Sequence, residues 1–198
     1  MVMTNAYLIG EGDDCVLIDA PLGVTDWLAE EGELPKEVLL THQHYDHVED
    51  AARLAAKGVR IRAYSDYSKE LTLETHKAQW GFPIEVPPYT VDDVLGNTNA
   101  LRSSGYDFRV EHVPGHSTDS IVFITTDKQS SDDTVFVFAG DTLFADGIGR
   151  PDLPGGDAEL LIEGIRSKLL NLPSSSQVFP GHGFDTTIGR ELAGNPYL

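Results

Sequence analysis

Five of the seven histidines in this 198-residue chain stand in three tight motifs. The first is Thr41-His42-Gln43-His44-Tyr45-Asp46-His47, the second Pro114-Gly115-His116-Ser117, the third Pro180-Gly181-His182-Gly183. Between the last two lies Gly140-Asp141-Thr142. Neutral imidazole and carboxylate oxygen are the donors that suit zinc, iron or manganese. His42 and His44 point the same way if the segment is extended, and Asp46 and His47 follow as the chain turns into a helix. Those four residues supply more donors than one tetrahedral ion takes if His116, Asp141 and His182 join them. Seven donors suit two ions about 3.5–4 Å apart with a shared group, and Asp141 is the natural carboxylate to share. The competing reading is a set of solvated polar loops with incidental histidines. A chance match to the first motif alone is on the order of one in a thousand, and the other motifs lower it further.

Each motif directly follows a run that reads as a strand, which is how a sheet aims several loops at one point. Ala6–Ile9 and Val16–Ile18 flank a Gly-Asp-Asp turn and read as a hairpin, and Val38–Leu40 runs straight into Thr41. Further strands are expected at Arg60–Tyr64, Tyr106–Val113, Ser120–Thr126, Thr134–Ala139 and Val178–Phe179. Helical spacing appears at Val24–Glu31, His47–Lys57 (stopped by Gly58), Tyr67–His76, Asp157–Leu170 (Leu160, Leu161, Ile165, Leu169) and Ile188–Leu192. Trp80–Tyr89, Gln129–Asp133 and Ala145–Gly156 read as loops. Strands alternating with helices predict a layered α/β fold with mixed sheets.

Composition narrows the function. The chain has 32 acidic and 14 basic residues, a formal net charge of −18. Phosphate recognition needs clustered Lys and Arg, so nucleic acid and anionic membranes are excluded as partners. The acidic excess suits solubility or tolerance of high salt. Hydrophobic residues at 40% are ordinary for one globular domain. Cys15 is the single cysteine, so no internal disulfide forms, and no secretory signal is visible. The expectation is a soluble cytoplasmic protein.

His42-x-His44-x-Asp46-His47 with His116, Asp141 and His182 resembles the metallo-β-lactamase superfamily, over nearly the whole chain. The resemblance implies an αββα sandwich, a single domain over residues 1–198, with the metal site at one edge of the sheets. Within the superfamily, Gly140-Asp141-Thr142-Leu143-Phe144, Gly147-Ile148-Gly149-Arg150 and Thr187-Ile188-Gly189-Arg190-Glu191…Asn195-Pro196 resemble glyoxalase II-like hydrolases (hydroxyacylglutathione hydrolases), especially the short bacterial ones. It implies two divalent ions, zinc first, with iron and manganese also fitting the donors. One is held by His42, His44 and His116, the other by Asp46, His47 and His182, with Asp141 bridging. The implied reaction is thioester or ester hydrolysis by a hydroxide between the ions, with Asp46 orienting it. In the lactamases proper the bridging carboxylate is absent, so Asp141 argues against antibiotic hydrolysis.

The chain stops about 16 residues after His182. The helical region by which full-length glyoxalase II enzymes contact glutathione is therefore expected to be missing. Their lysine and aromatic pair after the Gly-Asp-Thr strand is replaced by Arg150-Pro151-Asp152. Arg150 is the candidate clamp for a substrate carboxylate, against an ion pair with Asp146 or Asp152. Tyr45 lines the site or packs beneath it. Trp80, Phe82 and Tyr89 wall the pocket or form an apolar cluster under their loop. His76 and His112 read as structural, and Cys15 as core. The alternative activity is persulfide dioxygenation at a single iron held by His42, His116 and Asp141; the glycines flanking His182 favour the hydrolase. A non-catalytic binding module is a third reading, which the full donor set disfavours.

Overall fold

The computed structural model describes residues 3–76, 85–126 and 134–198, in two compact units that divide after Gly96. Trp80, Phe82 and the expected turn at Gln129–Asp133 lie outside the described residues.

The first unit is built on a five-stranded sheet. Strands β1 (Tyr7–Ile9) and β2 (Val16–Ile18) pair antiparallel, as the hairpin pattern predicts. Then β3 (Glu37–Leu39), β4 (Arg60–Ala63) and β5 (Asp93–Val94) add in parallel, in the order 1-2-3-4-5. Helix α1 spans Val24–Glu31, the expected range. Gly32 ends it at φ +75°, turning its N–H back onto Ala29 and Leu28. The core joins Val24 and Leu28 of this helix to Leu17, Val38 and Ile61 of the sheet.

The expected helix over His47–Lys57 is two pieces, α2 (Tyr45–Val48) and α3 (Ala51–Ala55). Asp50 breaks it. Its N–H donates to Ala20 O at 2.9 Å instead of to a preceding helical turn. Its Oδ2 accepts Gly23 N–H at 3.1 Å and Thr25 N–H at 2.9 Å, so a residue 25 positions away caps the start of α1. The expected helix at Tyr67–His76 is only a short 3-10 turn, Glu74–His76. Leu73 sits at φ +65°, outside the helical region, while the buried Glu74 carboxylate takes the hydroxyls of Tyr67 and Thr72.

The second unit carries a six-stranded sheet in the order 13-12-9-8-7-6. Its strands are β6 (Ala100–Ser103), β7 (Tyr106–His112), β8 (Ile121–Thr126), β9 (Val135–Gly140), β12 (Gln177–Pro180) and β13 (Thr186–Thr187). All neighbours are antiparallel except β9 and β12. Their parallel pairing places the ends of both strands side by side. The stretch expected to be loop contains a two-stranded hairpin, β10 (Leu143–Phe144) with β11 (Gly147–Ile148). Asp157 caps helix α4 (Ala158–Gly164) through Glu159 N–H and Leu160 N–H. Its continuation, Ile165–Leu169, is a wider π turn. Leu161, Ile165 and Leu169 are four apart, more than a 3.6-residue turn, and the wider turn takes up the difference. Leu160, expected on the same face, points outward. The chain ends in helix α5, Ile188–Gly194.

Asp50→Ala removes the acceptor of two helix-start N–H groups and leaves them short of a partner. The expected cost is about 2–3 kcal/mol, read as a lower urea midpoint at unchanged slope. Asp50→Asn keeps one acceptor oxygen and should cost less than half of that. A loss below about 0.5 kcal/mol for the alanine variant would show that Asp50 does not hold α1.

Candidate functional site

The first unit gathers His42, His44, Asp46 and His47 in the segment after β3. The ring of His42 lies 4.6 Å from that of His44 and 4.1 Å from that of His47. His47 Nε2 is 3.8 Å from Asp46 Oδ2. Gln43, between the first two histidines, points the other way. Its Oε1 accepts the Tyr89 hydroxyl at 2.8 Å and its Nε2 donates to Ser65 O at 3.1 Å. The alternation of an extended segment thus puts two imidazoles on one side and their anchor on the other.

Asp19, which the sequence reading passed over, organises this half. It follows β2 at φ +60°, in the left-handed region, and is buried. Its Oδ1 accepts Thr41 N–H at 2.7 Å. Its Oδ2 accepts the Thr41 hydroxyl and His47 Nδ1–H, both at 2.8 Å. A carboxylate oxygen accepts, so His47 carries its proton on Nδ1 and, when neutral, its lone pair on Nε2. The Thr41 hydroxyl spends its proton on Asp19 and so accepts from His42 Nδ1, 3.2 Å away. His42 is therefore the same tautomer. Asp46 is fixed separately, with Thr4 Oγ1 donating to its Oδ2 at 2.8 Å. Only the partners' arrival from 22 to 42 residues away identifies Asp19 and Thr4; no local pattern marks them.

The second unit gathers His116, Asp141 and His182. Asp141 follows β9 and His182 follows β12, and Gly181 N–H donates to Gly140 O at 2.8 Å across the paired strand ends. Asp141 Oδ2 stands 3.5 Å from His116 Nε2 and 3.3 Å from His182 Nε2. His116 Nδ1 donates to the Arg150 carbonyl at 3.0 Å, which again leaves the lone pair on Nε2. Gly149 makes this possible: a Cβ there would lie 1.9 Å from Asp141 O and 3.0 Å from His116 Cβ. Gly115, at φ +128°, lets the His116 loop pass over the start of α4, where a Cβ would lie 2.4 Å from Asp157 O.

The candidate substrate residues fare differently. The Arg150 guanidinium is exposed and forked onto Asp152, Nε at 3.0 Å and Nη2 at 2.9 Å. Such an exposed pair costs little to open. Tyr45 packs against the first core while staying partly exposed, and burial, then Asp46 and Glu49, push its hydroxyl up in pKa. It is a proton donor at neutral pH. Tyr89 belongs to the core. His112 binds Thr118 O, and burial pushes its imidazole down, in keeping with a structural role. Cys15 is buried, as expected.

Residues 1–182 match the profile of the metallo-β-lactamase superfamily. This chain belongs to that superfamily. Hydroxyacylglutathione hydrolase GloC of Haemophilus influenzae is 38% identical over 167 residues, covering 82% of this chain and 76% of that protein. The crystal structure of BLEG-1 B3 metallo-β-lactamase is 33% identical, with TM-score 0.85 over 100% of this chain and 95% of its own. That of TTHA1623 in a di-iron-bound form is 34% identical, with TM-score 0.79 over 100% and 96%. ETHE1 from Myxococcus xanthus is 27% identical, with TM-score 0.70 over 98% and 78%. The expected fold class, the superfamily's α/β fold with mixed sheets, is thereby established, and the chain is a member of a superfamily of metal-dependent hydrolases. Among the described residues, no helix is long and apolar enough to cross a membrane.

The donor set fits metal ions on the chain's own chemistry, because His42, His47 and His116 are all held with the proton on Nδ1, which puts the lone pair of the neutral ring on Nε2. Asp19→Ala releases two of these three rings. We expect about 10–100-fold weaker zinc binding in chelator competition, with the folded protein retained. Unchanged affinity would remove Asp19 from the site.

Proposed function

We propose that the protein holds two divalent ions and hydrolyses thioesters of the S-2-hydroxyacylglutathione type. His42, His44 and His116 would take one ion, and Asp46, His47 and His182 the other. Asp141 would serve both. The observation that carries this reading is Asp141 Oδ2 standing within 3.5 Å of the Nε2 atoms of both His116 and His182. One carboxylate oxygen is nearly equidistant from two imidazoles that the reading assigns to different ions. Zinc is the first choice; iron and manganese suit the same donors, and the di-iron form of TTHA1623 supports iron equally.

Bound ions would supply Lewis acidity, lowering the pKa of water to give hydroxide near neutral pH and polarising the scissile carbonyl. The protein's part is orientation. Thr4 takes Asp46 Oδ2 and fixes the direction in which that carboxylate presents its oxygens to the nucleophile. Asp19 and the Arg150 carbonyl keep protons on the outer nitrogens of their imidazoles, so the inner nitrogens stay basic. The Arg150 guanidinium, on exchanging Asp152 for substrate, offers a planar fork to a carboxylate such as glutathione carries. Tyr45 offers a protonated hydroxyl beside Asp46. Neither a serine nor a cysteine nucleophile is needed, and the buried Cys15 is placed for none.

The likeness to GloC supports the thioester reading. The likeness to ETHE1 keeps single-iron persulfide dioxygenation as the alternative, and that to BLEG-1 puts β-lactams on the same test. We further propose a small-molecule substrate, a cytoplasmic location and no nucleic-acid or membrane partner, consistent with the net charge of −18.

Steady-state hydrolysis of S-D-lactoylglutathione by zinc- or iron-loaded protein should reach a kcat/KM of about 10⁴ M⁻¹s⁻¹ or more. Chelation should abolish it and metal should restore it. Asp141→Asn should lose both metal and turnover. Negligible thioester turnover by protein carrying two ions would overturn the substrate assignment, and turnover of a persulfide or a β-lactam instead would name the replacement.

A further inference from the structure

Helix α5 ends the chain with a buried carboxylate that the hydrolytic reading does not use. Glu191 is 1% exposed. Its Oε2 accepts Asp146 N–H at 2.8 Å and Asn195 Nδ2–H at 2.9 Å. Its Oε1 accepts the Thr186 hydroxyl at 2.5 Å. Asn195 also donates to Gly147 O at 3.0 Å. The neighbouring Arg190 reaches Asp146 Oδ2 through Nη2 at 2.5 Å and lies 3.6 Å from Glu191 Oε1 through Nη1. Three side chains, those of Arg190, Glu191 and Asn195, thus converge on two residues, Asp146 and Gly147.

Asp146 stands in the turn of the β10–β11 hairpin, and Gly147 is the first residue of β11. Asp146 sits at φ +60°, a conformation that a non-glycine residue keeps only when its surroundings hold it. Glu191 takes its N–H and Arg190 takes its carboxylate. The strand leaving this turn runs through Gly147 and Ile148 directly into Gly149 and Arg150. Gly149 lies against the Asp141 carbonyl and His116, and the Arg150 carbonyl accepts the Nδ1–H of His116. From the Glu191 carboxylate to the His116 imidazole the path is two hydrogen bonds joined by five residues of backbone, Asp146 to Arg150.

We infer that Glu191 is a positioning residue for His116 and Asp141: by clamping the Asp146 turn, it sets the carbonyl of Arg150 that orients the His116 imidazole. Burying this carboxylate is costly unless its lone pairs are met. Here three donors meet them, and each comes from a segment that must be in place for the clamp to close. Helix α5 therefore does more than cover the core with Ile188. It registers the hairpin against His116 and Asp141. The consequence for metal binding rests on the proposed function, whereas the consequence for the His116 imidazole does not.

The test compares Glu191→Ala, Glu191→Gln and Ile188→Ala. Glutamine keeps one oxygen for Asp146 and Asn195 and offers an amide N–H to the Thr186 hydroxyl, so it should preserve the clamp. Ile188 is fully buried, and its truncation destabilises the same helix without touching the carboxylate. The first readout is the His116 Nδ1–H proton in metal-free protein, by nitrogen-15 NMR of labelled histidine, well below every variant's melting temperature. The second is zinc affinity by chelator competition. Glu191→Ala should lose the exchange-protected Nδ1–H signal and bind zinc about tenfold more weakly. Glu191→Gln should keep both, and Ile188→Ala should keep both despite its lower melting temperature. A wild-type signal and affinity in Glu191→Ala would overturn the inference, as would equal losses in Ile188→Ala. Failure of the wild-type protein to take up metal would instead sink the proposed function, and the NMR readout would still decide the clamp.

Discussion

The donors of the first unit hang on the buried carboxylate of Asp19. Two oxygens accept three hydrogen bonds, from the Thr41 backbone, the Thr41 hydroxyl and His47. That arrangement ties the end of β2 to the segment leaving β3 and settles where the protons of His42 and His47 reside. An imidazole coordinates only through a nitrogen that has no proton. A protein that fixes the outer nitrogens as donors has therefore prepared the inner ones before any ion arrives. The left-handed backbone of Asp19 is the cost of aiming its carboxylate at all three donors at once.

The second unit repeats the device with different parts. A backbone carbonyl, that of Arg150, does for His116 what Asp19 does for His47. The position of a carbonyl is set by the chain around it, which is why the hairpin turn, Gly149 and the Glu191 clamp matter. The Arg150 guanidinium is what its sequence motif advertises, yet the contact that reaches a donor imidazole is its main chain. A side-chain substitution there would leave that contact in place.

The strands, α1 and the seven donors were legible because each rests on a local signal. Apolar runs bounded by turn residues mark β2, β8 and β9, and Gly32 marks the end of α1. The donor motifs are dense enough in His and Asp to stand out against composition. What was missed is non-local. Asp19, Asp50 and Glu191 act on partners 22, 25 and 45 positions away, and no window of sequence contains both ends. The same cause split the helix expected at His47–Lys57, since Asp50 exchanges its helical hydrogen bond for Ala20 and α1. Buried Glu74 and left-handed Leu73 likewise displaced a helix that spacing favoured at Tyr67–His76. In each case a buried carboxylate overrode helix periodicity, because leaving its lone pairs unmet costs more than the few tenths of a kcal/mol per residue that propensity offers.

We propose that the seven donors serve one dinuclear centre. Anomalous diffraction at the zinc edge from crystals of the zinc-loaded protein tests it most directly. Two peaks about 3.5–4 Å apart are expected. One should contact His42, His44 and His116, the other Asp46, His47 and His182, with Asp141 touching both. A single fully occupied peak, or two that do not share Asp141, would contradict it.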